Sequence, residues 1–165
     1  MKNSLRVRRD LKLKGSPAEA KSYALKLLSY RSRSRKEMLE RLIRKGFDEE
    51  QTNNAVLFLE EAGLIKDETL AGELFSYALE RKNLGRRGIE FFLSKRGIGK
   101  ELISQTLSVH TKEMEMDVAR RIIDKKLGTL RRYPVDVIRR RLSGMLQRRG
   151  VRAEVINKTI QYLDL

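Results

Sequence analysis

Apolar residues recur along the chain at helical rather than alternating spacing. From Ala20 to Tyr30, the apolar Ala24, Leu27 and Leu28 fall on one face, and further helical stretches run from Leu70 to Arg81 and from Val118 to Leu127. No segment alternates with period two for long enough to argue for a sheet. The pattern also repeats at long range. Aligning KEMLERLIRKGFDEEQTNNAVLFL, RGIEFFLSKRGIGKELISQTL and RRLSGMLQRRGVRAEVINKTIQYL superposes Gly46, Gly97 and Gly150, with spacings of 51 and 53 residues. Met38, Ile89 and Leu142 then coincide, as do Leu42, Leu93 and Leu146, the basic Lys45, Arg96 and Arg149, the apolar Phe47, Ile98 and Val151, and finally Val56, Leu107 and Ile160. A period of this length marks a repeat architecture.

In each copy, apolar residues at helical spacing lead into a basic residue, a glycine and an apolar residue, the pattern of a helix stopped by a left-handed glycine. A second helix follows directly, and one of the helical stretches above precedes each pair. The expected fold is all-α: three tandem three-helix repeats, about nine helices, forming an elongated, curved array. The expected division is a basic arm over 1–15 and repeats over 16–66, 67–112 and 113–165. Start signals agree with it. Ser16 with Glu19 and Ser34 with Glu37 fit capping boxes, Asp67 sits just before the fourth helix, Thr111 lies near the start of the seventh, and Pro134 suits the first turn of the eighth.

Composition narrows what such a fold does. The 165 residues carry 37 Lys+Arg and 22 Asp+Glu, a net charge of +15, with no Cys and a single His. Zero Cys removes disulfides, zinc–thiolate sites and iron–sulfur clusters. His110 alone supports neither a His-based metal site nor a hydrolase needing a His with partners; a surface or capping role is expected for it. Glu49, Glu50, Glu60 and Glu61 read as solvated faces, because adjacent helical carboxylates diverge by about 100° and do not converge on a metal. Gly85 and Gly88 lack the Gly-Lys-Ser/Thr context of a phosphate loop. The expectation is a non-enzyme with no cofactor. The apolar runs reach about five residues against the ~20 of a membrane helix, and no signal-like stretch opens the chain, so a cytoplasmic protein with no membrane partner is expected.

The positive charge points to a polyanion or an acidic protein groove. Its placement is informative: Arg35-Lys36, Arg86-Arg87 and Arg139-Arg140 share one repeat phase at the start of each second helix. Arg31 and Arg33, Arg81 and Lys82, and Arg131 and Arg132 lie just upstream of these pairs. Cations at a helix N-terminus oppose the macrodipole, so helix stability does not account for them. The twelve residues form the expected partner-binding set, along one side of the array. Guanidinium suits carboxylate and phosphate equally, and the residues alone do not choose between them. Tyr23, Tyr30, Tyr77, Tyr133 and Tyr162 read as core rather than base-stacking residues. The arm, with Arg6, Arg8, Arg9, Lys12 and Lys14, would add long-range attraction.

The stretch LLSYRSRSRKEMLERLIRKGF, followed by a helix and GLIKDETLA, resembles the first repeat of the RecX family of bacterial recombination regulators. ALERKNLGRRGIEFFLSKRGIGKELI is similar to that family's second repeat. The resemblance spans about 18–165 and is strongest over 24–107. It implies a small non-catalytic protein, a monomer, that binds RecA and the RecA–single-stranded DNA filament groove and inhibits its ATPase, strand-exchange and coprotease activities. Weak, sequence-independent DNA binding is a further expectation from the charge, and the rival reading is a basic helical module of helix-turn-helix type acting directly on DNA. Such modules read bases from one recognition helix, whereas here the basic residues recur in every copy and Asn or Gln is sparse beside them. A membrane-surface protein fits poorly, since no helix sets a wide basic face against a bulky apolar one.

Overall fold

The computed structural model describes residues 15–163, and these form nine helices and no strand. They are α1 (Pro17–Tyr30), α2 (Arg35–Lys45), α3 (Glu49–Glu61), α4 (Asp67–Glu80), α5 (Arg86–Lys95), α6 (Lys100–Ser108), α7 (Lys112–Leu130), α8 (Val135–Arg148) and α9 (Ala153–Gln161). The chain divides into two units, one ending at Lys66 and the other running from Asp67. The first holds α1–α3 and the second α4–α9. The basic arm lies outside the described residues except for Gly15.

In the first unit the caps are local. Ser16 accepts from the Glu19 amide at 3.3 Å while its own amide donates to the Glu19 carboxylate at 2.6 Å, a complete capping box. Ser34 accepts from the Glu37 amide at 3.1 Å, and the Glu37 carboxylate takes the Arg31 guanidinium in two bonds of 2.9 and 3.0 Å. Asp48 and Gln51 make a second complete box at the start of α3.

The repeated glycines perform one conformational task three times. Gly46, Gly97 and Gly150 have φ of 103°, 77° and 75°, the left-handed region that a side chain disfavours. The following apolar residue then donates back to the helix five residues earlier: Phe47 to Leu42 at 3.3 Å, Ile98 to Leu93 at 3.2 Å and Val151 to Leu146 at 3.1 Å. This is the bond of a Schellman-type helix end, and the same residues plug the core beneath it. Met38, Ile89 and Leu142, and Leu42, Leu93 and Leu146, are all fully buried. The first unit closes its own core around Ala24, Met38, Leu42, Val56 and Leu59. In the second unit one core runs through α4–α9, joining Leu74, Ile89 and Leu93 to Val118, Leu142, Leu146 and Val155.

Three features differ from the sequence reading. Asp67 is the first residue of α4 rather than its cap. Helix α8 starts at Val135, after Pro134, so Arg139 and Arg140 sit a turn inside the helix and not at its start. Proline fixes φ for helix entry, and the helix begins where that restraint is met rather than at the repeat phase. The core assignment fails for Tyr30, Tyr77 and Tyr162, which are 71, 49 and 74% exposed.

Candidate functional site

The twelve basic residues of the repeat phase divide by what their charged groups touch. In the first unit most are committed within the fold. Arg33 is buried, and its Nε donates to the Leu27 carbonyl at 3.2 Å. Arg31 is held by Glu37, and Arg35 Nε lies 3.1 Å from the Glu60 carboxylate. Lys36 is exposed, with no carboxylate partner among the described residues.

In the middle copy, adjacent arginines do different work. Arg86 turns inward: its Nη1 donates to the Leu107 carbonyl at 2.7 Å and the His110 carbonyl at 3.4 Å, satisfying acceptors at the end of α6. Lys82 Nζ lies 5.4 Å from the ring centroids of both Tyr77 and Phe92, a cation–π arrangement. Arg81 and Arg87 are exposed and have no described carboxylate partner.

A buried carboxylate holds the Arg86 backbone at the same place. Gly85 caps α5 with no side chain to offer, and Arg152 caps α9 without a side-chain bond. Glu115 of α7, fully buried, supplies both ends. Its Oε1 accepts from the Arg86 amide at 2.9 Å and the Arg152 amide at 3.0 Å, while Oε2 accepts from Arg152 Nε. A buried carboxylate is tolerable only with such partners, and here it has three donors. Backbone contact tightens the same junction: Gly85 donates to the Arg149 carbonyl at 2.9 Å and Arg87 to that of Gly150 at 3.0 Å. A Cβ on Gly88 would stand 2.3 Å from the Arg149 oxygen, so glycine there is a packing requirement. Arg121 adds a bridge from α7 to Asn83 at 2.9 Å.

His110 stands beside this network. It is buried, not at the surface or in a cap as its position in the sequence suggests, with its ring edge-on to Phe75 at 6.0 Å. Neither ring nitrogen has a hydrogen-bond partner among the described residues. Burial holds its pKa below the usual 6.5; Glu115 opposes that shift, and Arg86 and Arg152 reinforce it.

The third copy leaves most of its cations open. Arg131, Arg139 and Arg140 are exposed without a described carboxylate partner. Arg132 lies 5.0 Å from the Tyr133 centroid and Arg141 4.0 Å from it, so two guanidiniums converge on one ring. They also hold the Tyr133 hydroxyl pKa below its ordinary value, Arg141 first. Arg141 and Glu115 both escaped the sequence reading. Arg141 adjoins the assigned pair and is recognisable by its spacing of eight from Tyr133; Glu115 has no signal, since its partners are 29 and 37 residues away.

Among the described residues, no His, Cys, Asp or Glu side chains group in threes as a metal site would require, and no helix is long and apolar enough to cross a membrane. Fold and site together define an all-α protein of three-helix repeats that leaves Arg87 on α5 and Arg139 and Arg140 on α8 exposed. The chain matches the family models "RecX, first three-helix domain" over residues 20–59 and "RecX, third three-helix domain" over residues 113–160. It is 33% identical over 149 residues to the regulatory protein RecX of Chlorobium limicola, covering 90% of this chain and 91% of that one. To the regulatory protein RecX of Amycolatopsis mediterranei it is 32% identical over 132 residues, 80% of this chain and 75% of the relative. The crystal structure of RecX from Lactobacillus salivarius shares the fold, with a TM-score of 0.79 at 22% identity over 90% of this chain and 96% of that one. The chain belongs to the RecX family of regulatory proteins.

Proposed function

We propose that this chain is a non-enzymatic, cytoplasmic regulator that binds RecA and lies, as a monomer, in the groove of the RecA–single-stranded DNA filament. There it inhibits ATP turnover, strand exchange and coprotease activity. The repeats over 16–66, 67–112 and 113–165 are its binding units, and the arm over 1–15 adds electrostatic attraction. What carries the reading is that Lys36, Arg81, Arg87, Arg131, Arg139 and Arg140 stand exposed without described carboxylate partners in a member of a regulatory family. An exposed, uncommitted guanidinium offers two parallel hydrogen bonds to a partner carboxylate. A body bound across several protomers would hold the filament in one state and exclude duplex DNA or a cleavable repressor.

The test is RecA ATPase on single-stranded DNA with and without this chain, beside a binding control with DNA alone. The reading expects ATP turnover to fall at protein concentrations that leave free DNA unbound. Unchanged turnover would refute it. Loss of turnover only where the protein coats the DNA would favour direct, sequence-independent DNA binding, a reading that the +15 charge also supports.

A further inference from the structure

Arg87 is exposed, whereas its neighbour Arg86 is half-buried and bonds the end of α6. The Arg87 amide is tied to the Gly150 carbonyl, which fixes the start of α5 against the loop between α8 and α9. Its side chain lines a cleft of about 250 Å³ with Ser143, Gln147, Val151, Ile156 and Asn157. The polar lining is one guanidinium, two carboxamides and a hydroxyl, and no carboxylate lines the cleft. Val151 and Ile156, both buried in the core, supply an apolar portion.

This composition selects its occupant. A guanidinium flanked by neutral hydrogen-bonding groups suits a planar anion that accepts two parallel bonds, and the apolar lining suits a short aliphatic stem. A nucleic-acid backbone fits less well. A phosphodiester brings sugars on both sides, and phosphate tracks are met by several cations, whereas Arg87 is the one cation lining this cleft. The backbone that carries the cleft is fixed: a Cβ on Gly150 would stand 2.1 Å from the Gly88 nitrogen, so the segments bearing Arg87 and Val151 are in direct contact. We infer that the Arg87 cleft receives the carboxylate side chain of an acidic residue presented by the partner protein. This rests on the reading that the partner is RecA, and names the chemistry by which it is held.

Two experiments on the full chain test it. In the first, capped glutamate (N-acetyl-glutamate amide) and, separately, oligothymidylate are titrated while the Arg87 Nε–H and the Gln147 and Asn157 side-chain amides are followed by NMR. Glutamate should shift all three. Shifts from the oligonucleotide alone, or from neither probe, would overturn the assignment. In the second, RecA inhibition is compared for Arg87→Ala, Arg87→Lys, Asn157→Ala and the exposed control Arg148→Ala, each shown to be folded by thermal melting. Arg87→Ala should raise the half-inhibitory concentration about ten- to hundredfold. Arg87→Lys should restore only part of this, because it keeps the charge without the fork, and Arg148→Ala should change it less than about twofold. Equal effects for Arg87→Ala and Arg148→Ala would refute the cleft. If the unaltered chain fails to inhibit RecA, the proposed function falls, while the glutamate titration still decides the chemistry of the cleft.

Discussion

Ser34 and Gly85 occupy one position in two copies of the same repeat, the residue before the second helix, and the two helix starts are satisfied in different ways. Ser34 caps α2 with its own hydroxyl, three residues from its partner. Gly85 has no side chain, and α5 takes its cap from Glu115, 29 residues from Arg86. The glycine is needed because its Cβ would meet Val151 Cα at 2.5 Å. Close approach of backbones therefore removes the local cap, and a buried carboxylate from a third helix replaces it. The arginines divide along the same line. In the first unit they are tied to nearby carboxylates or carbonyls, in the middle copy Arg86 is drawn inward, and in the third copy Arg139 and Arg140 stay open. Equal phase in a repeat gives equal backbone position, while the neighbours decide the task of each side chain.

The largest effect is expected where the backbone contact itself is altered. Gly88→Ala should cost more than about 4 kcal/mol, or prevent the second unit from folding, because its Cβ has backbone and not a flexible side chain to displace. Gly46→Ala, which places a side chain at a left-handed φ of 103°, should cost about 1–2 kcal/mol. Urea unfolding of both variants checks this; equal costs would show that the junction is not tightly packed. Glu115→Ala should cost about 3–5 kcal/mol, since it leaves the amides at the starts of α5 and α9 without an acceptor and takes the buried carboxylate from Arg152 Nε. Ser34→Ala should cost about 1 kcal/mol. Hydrogen exchange should show the Glu115 variant opening at the starts of α5 and α9 together.

A smaller effect depends on pH. His110 titrates below its unfolded value of about 6.5, so the unfolded chain binds the proton first as pH falls. Its contribution to stability is fully present above pH ~6.5 and is lost as pH drops from there towards the folded pKa. His110→Phe should flatten this part of the stability profile between pH 7 and 5. A profile identical to that of the unaltered chain would mean the imidazole is not held neutral.

What was legible in the chain follows the same physical division. The glycine phase reads directly, because a left-handed residue, the basic residue before it and the core plug after it are consecutive, as at Lys45-Gly46-Phe47. The complete box at Ser16 reads directly too, since its partners lie three residues apart. Glu115 did not, because a glutamate in the first two turns of a helix normally serves the macrodipole and faces water. The different surroundings of Arg86 and Arg87 were equally hidden, as they depend on the end of α6 and the α8–α9 loop, each brought close only by folding. Two signals for the start of α8 disagree: repeat phase argues for Arg139, whereas Pro134 marks helix entry, and the helix begins at Val135, four residues before Arg139.

Open and inward arginines of one repeat phase should differ in function, and a comparison of stability with inhibition decides whether they do. Arg139→Ala/Arg140→Ala and Arg86→Ala are compared for thermal stability and for inhibition of RecA ATPase on single-stranded DNA. The double variant should keep its stability to within about 0.5 kcal/mol. Its half-inhibitory concentration should rise at least about tenfold. Arg86→Ala should be clearly destabilised, with inhibition preserved at temperatures where the protein remains folded. The contrary result, a double variant that inhibits as well as the unaltered chain while folded Arg86→Ala does not, would contradict the assignment of the binding role to the open arginines.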